Sequence, residues 1–155
     1  MNGPVEAPSL RIMRRLMLFL LTVAMIGTAA DLMLLDHHEG FWQMVPLGVI
    51  ALGILSVALS ALKGGVGALT LMRLTMALFI CSGFLGMGLH YVGNSEFQLE
   101  MDPSLHGWSL FMKAITSKAP PALAPAAMIQ MGLLGLLYTY KHPALRHPLQ
   151  GIGAE

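Results

Sequence analysis

Charge is scarce in this sequence. Only 11% of its 155 residues are charged, against about 25% in an ordinary soluble domain. With 55% hydrophobic residues and a mean hydropathy of +0.69, this shortage excludes an ordinary soluble enzyme. The same apolar content excludes a disordered chain, which needs low hydrophobicity and high net charge. Nine Lys and Arg against eight Asp and Glu leave a net charge of +1, so bulk charge offers no footing for nucleic acid. Cysteine is nearly absent. A lone Cys81 excludes an intramolecular disulfide, a CxxC redox pair and a cysteine-based zinc site. Period-two alternation is missing, which argues against strand pairs. No internal repeat is evident, which argues against an inverted-repeat transporter. The length bounds these residues to one domain.

What is present is long apolar runs. A bilayer core takes about 20 mostly apolar residues from one helix. Four windows meet or approach that, at residues 16–35, 45–62, 74–92 and 122–140. Inside lipid the backbone must satisfy its own hydrogen bonds, so these runs should be helices. The expectation is an all-α integral membrane four-helix bundle, a single membrane domain over residues 1–155. Lys and Arg in the short flanks set the orientation. Arg11, Arg14, Arg15, Lys63, Arg73, Lys141 and Arg146 fall on one side of a four-span chain. Lys113 and Lys118 fall on the other, with Asp36, Glu39, Glu96, Glu100 and Asp102. This predicts a multi-pass protein with both termini cytoplasmic. Arg14-Arg15, an apolar stretch and Thr28-Ala29-Ala30 also have the order of a cleavable signal peptide. The run continues through Leu32 to Leu35, which favours an uncleaved first span.

The connections add detail. Pro46 should open the second helix near its first turn, with Phe41 and Trp42 at the level of an aromatic belt. Lys63-Gly64-Gly65-Val66-Gly67 reads as a plain turn, since no Gly-Lys-Ser/Thr follows to make a phosphate loop. The stretch 93–121 is long for a connection. Within it Asp102-Pro103-Ser104 looks like a helix start, and Leu105, Trp108, Met112 and Ile115 recur at helical spacing. An interfacial amphipathic helix over residues 103–118, between spans three and four, is therefore expected. Pro120 and Pro121 should stop it.

The candidate site is a gathering of polar groups on the outer side. His37, His38 and Glu39 close the first span, His90 and Tyr91 the third, and Glu96, Glu100 and Asp102 follow. Imidazoles with carboxylates suit a divalent transition metal, so His37, His38, His90, Glu96 and Glu100 are the candidate ligands. The competing account is solvated groups at helix ends. Asp31 is an acid at membrane depth, a position that marks function by default. Gln130 lies mid-span and suits a hydrogen bond between helices. Gln43 is placed to support the cluster from behind. No nucleophile–base pairing is visible, and His37-His38-Glu39 is not the H-E-x-x-H of a zinc protease. The methionines are scattered through every span and read as packing residues.

The segments Leu89-His90-Tyr91-Val92-Gly93-Asn94, Glu100-Met101-Asp102-Pro103-Ser104-Leu105-His106-Gly107 and Tyr138-Thr139-Tyr140-Lys141-His142-Pro143 stand out, with His38, Gln43 and Pro46. Together they resemble a group of uncharacterised small four-span bacterial inner-membrane proteins. The resemblance implies a bacterial inner membrane and four spans. It implies no activity, cofactor or catalytic residue. The leading expectation is a non-enzymatic accessory or scaffold subunit, docking through small-residue helix faces onto membrane protein partners or further copies of itself. Metal handling by the outer cluster is a second expectation. An oligomeric proton-coupled carrier using Asp31 is a third.

Overall fold

The computed structural model describes residues 7–118 and 122–145. The expected Pro120 and Pro121 break and Arg146 lie outside them. Among the described residues every regular element is helical. Helix α1 covers Pro8–Leu34, α2 Phe41–Leu62, α3 Gly65–Met101, α4 Gly107–Ile115 and α5 Leu123–Thr139, and a single 3-10 turn follows at Pro143–Leu145. Three of these, α1, α2 and α3, are long and apolar enough to cross a membrane. Helix α5 is apolar but has 17 residues, about 25 Å of rise against a hydrocarbon core of about 30 Å.

Helices α1, α2 and α3 begin before their apolar windows, while α5 matches its own to within one residue at each end. α3 begins nine residues before the predicted window and ends nine after it, at 37 residues and about 55 Å. Polarity after Val92 marks where apolar surface stops, not where the helix stops. Glu96, Gln98, Leu99 and Glu100 are all good helix formers. The long connection expected over 93–121 therefore shrinks. Asp102 does not start α4. It is the C-cap of α3, and its carboxylate accepts from the Ser104 hydroxyl at 2.6 Å and the Ser104 N–H at 3.1 Å. α4 is correspondingly short, at nine residues. Its fully buried residue is Ala114, while Trp108, on the expected apolar stripe, is 73% exposed. Asn94 ties α4 to α3, its amide donating to the Ala114 carbonyl at 3.1 Å and the Ser117 hydroxyl at 2.8 Å. α2 also starts earlier than expected. Pro46 therefore sits inside the helix, where it removes the N–H that would meet the Trp42 carbonyl.

Helix α3 is the hub, packed against α2, α4 and α5, and α1 closes the ring by touching α2 and α5. Side chains from all four long helices fill the centre, including Leu21, Met25, Ile50, Met76, Phe79 and Met131. The buried methionines are packing residues, as expected. Two glycines set the closest crossing. A Cβ on Gly83 would stand 2.7 Å from the Pro125 carbonyl of α5, and one on Gly132 would stand 2.7 Å from the Met76 carbonyl of α3. Only glycine lets these two backbones approach so closely.

Candidate functional site

The antiparallel arrangement separates two polar ends. At the first, α1 finishes with Asp36 in the left-handed region, φ 51°, and His37 folds back so that its N–H donates to the Leu32 carbonyl at 2.9 Å. This turn brings the His37 ring against His90 of α3, with centroids 5.8 Å apart and planes 15° from parallel. Both residues are half-buried, whereas His38 and Glu39 are exposed. Glu96 and Glu100 share one face of α3, one turn apart, and are exposed. They do not return to the histidines. The unbroken helix carries them about 9 Å and about 15 Å beyond His90 along its axis. The expected metal cluster is thus gathered only as a histidine pair. Among the described residues no three His, Cys, Asp or Glu side chains come together.

Gln43 has a different task from the one expected. Its side-chain oxygen accepts from the N–H groups of Glu39 and Gly40, each at 3.0 Å, and so caps the start of α2. Asp31 and Gln130 are both exposed on the outer surfaces of α1 and α5. Gln130 therefore does not join helices within this bundle. Cys81 is exposed on α3.

The opposite end holds residues that the sequence does not single out as a site. The last carbonyls of α5 have no partner within the helix, and its final turn contains no basic residue. Arginines from two other helices supply the donors. The buried Arg14 of α1 donates to the carbonyls of Tyr138, of Tyr140 at 3.1 Å and of Lys141 at 3.5 Å. Arg73 of α3 donates to the Thr139 hydroxyl at 3.1 Å and its carbonyl at 3.3 Å. Positive charge there also complements the negative end of the α5 macrodipole. Above these contacts lies a cavity of 310 Å³ bounded by Arg11, Arg14, Arg15, Ser60, Tyr138 and His142. The available signal was the i, i+3, i+4 spacing of Arg11, Arg14 and Arg15, which puts three guanidiniums on one helix face.

No protein-family model, curated protein or solved structure matches this chain.

Proposed function

We propose that this chain is a four-span protein of the bacterial inner membrane that serves as a non-enzymatic accessory or scaffold subunit of a membrane complex. One observation carries the reading. Gln130, in the middle of the apolar helix α5, presents its amide outward rather than to its own bundle. An amide facing hydrocarbon is costly, and hydrogen bonds across helices are its usual relief. A neighbouring membrane helix supplies that relief.

Other features agree. Asp31 is outward-facing on α1, where a carboxylate at membrane depth also calls for cover. Gly53, Gly83 and Gly132 are used up inside the bundle, but a Cβ on Gly27, Gly48 or Gly88 would meet nothing within 4 Å. Those three leave room for a close helix approach from outside. Trp108 stands exposed with Phe111 stacked on it at 5.1 Å, which suits α4 lying at the membrane surface. In this reading the arginine end faces the cytoplasm and α5 is the fourth span, its short length eased by local thinning of the bilayer.

The test is native mass spectrometry of the protein extracted gently from its own membrane. The expected spectrum carries the mass of a partner subunit beyond whole copies of the 16.7 kDa chain, and Gln130→Leu loses that added mass. A bare 16.7 kDa chain, or a partner retained equally by Gln130→Leu, overturns the reading.

A further inference from the structure

The arginine end has more positive charge than its structural task requires. Arg14 is committed to the α5 carbonyls. Arg11 and Arg15 line the same 310 Å³ cavity, and neither side chain has a hydrogen-bond or ion-pair partner among the described residues. They sit one turn apart on α1, a spacing at which like charges repel. Arg11 also lies in the first turn of α1, where the positive end of the macrodipole adds to the repulsion. Among the described residues no Asp or Glu lines the cavity. His142 and Ser60 also line it. Leu18 and Ala61 add an apolar margin. Three arginines lining one concave space, together with a serine and a histidine, form a site for a compact multivalent oxyanion. Guanidinium forks match phosphate oxygens two at a time.

We propose that this cavity binds a phosphate group, presented by the headgroup of an anionic phospholipid. Arg14, held rigid by its carbonyl bonds, forms the floor. Arg11, Arg15 and His142 close over the phosphate. Basic pockets between membrane helices on the cytoplasmic side are a known physical solution for holding such headgroups. The lipid source rests on the membrane placement proposed above. It does not depend on the subunit role, so the two can fail separately.

The test uses the full chain in a neutral detergent, titrated in separate arms with phosphatidylglycerol, phosphatidylcholine and inorganic phosphate, and read by native mass spectrometry. The comparison is wild type against the double variant Arg11→Gln/Arg15→Gln, which keeps Arg14. Thermal melting by circular dichroism serves as the folding control, and an unchanged melt is expected because neither side chain holds the fold. The expected result is a phosphatidylglycerol adduct that phosphatidylcholine does not match and that the double variant binds roughly tenfold more weakly. Binding of inorganic phosphate alone, lost in the double variant, upholds the phosphate site and transfers it to a free anion. Equal binding of both lipids, or adducts unchanged in a folded double variant, overturns the proposal.

Discussion

At the arginine end of the bundle Arg14 reaches residues 124 and 126 positions further along the chain, and Arg73 reaches 66 positions. At the histidine end Gln43 binds backbone three and four positions back, and Asp102 binds two positions ahead. The longer links there are the His37–His90 stack, the Tyr91–Phe111 ring contact, the Lys113–Asp102 pair and the bonds from Asn94 to α4. The first end joins the opening helix to the last, so it closes the ring. The second mostly shapes individual turns. Side chains at the arginine end are therefore coupled to the whole bundle, while changes at the histidine end should stay where they are made.

The largest expected effect follows from Arg14. Replacing it with Ala leaves the terminal carbonyls of α5 short of donors in a buried position, a cost of about 1–3 kcal/mol. Thermal unfolding in detergent should show the loss, and hydrogen exchange should rise at the α5 end and not at the His37 turn. Arg14→Lys should recover only part of it, because an ammonium cannot fork across several carbonyls as a guanidinium does. A melt equal to wild type would erase the distinction between the two ends.

Gln43→Ala should act at shorter range. It removes the acceptor for the Glu39 and Gly40 N–H groups, for about 1 kcal/mol by the measure of other helix caps. Exchange should increase at residues 39–43 alone. If it spreads to α5, the histidine end is as strongly coupled as the arginine end, and the comparison fails.

The contrast also explains what the residues disclosed in advance. Apolar runs and the shortage of charge were enough to expect helices, because long hydrophobic stretches leave the backbone no other economy of hydrogen bonds in lipid. Helix ends were legible in part: α1, α2 and α5 finish within one residue of their apolar windows, and α3 does not. The window around Leu74 to Val92 reports where α3 is apolar, but the polar turns from Gly93 to Met101 are equally helical. That error moved Glu96 and Glu100, since a loop can fold carboxylates back onto His90 and a straight helix cannot. The His37–His90 pairing was accessible, because the first and third spans end on the same side. Arg14 and Arg73 were visible as orientation charges, and Arg14 as part of a leader-like order, but not as helix caps. Their bonds depend on which carbonyls α5 leaves unpaired, and an end predicted to within one residue does not say which distant donors will meet it.

The smallest expected effect concerns Asp102 and tests how local the histidine end is. The Ser104 hydroxyl and then the Ser104 N–H hold its carboxyl below the usual carboxylate range, with Lys113 adding attraction. Lys113 Nζ stands 3.8 Å from the carboxylate, and both side chains are substantially exposed, so solvent screens the pair. A lowered folded-state value means that ionisation favours the native turn. The benefit is present above the ordinary carboxylate range and is lost as pH falls through the lower value that Asp102 has in the fold. NMR of the Ser104 amide should therefore follow a titration below the range of a free aspartate, and Asp102→Asn should abolish it. The α5 amides should not respond. A response there would mean that α4 transmits the state of this turn through Asn94 and α3 to the far end, and the two ends would have to be treated as one cooperative unit.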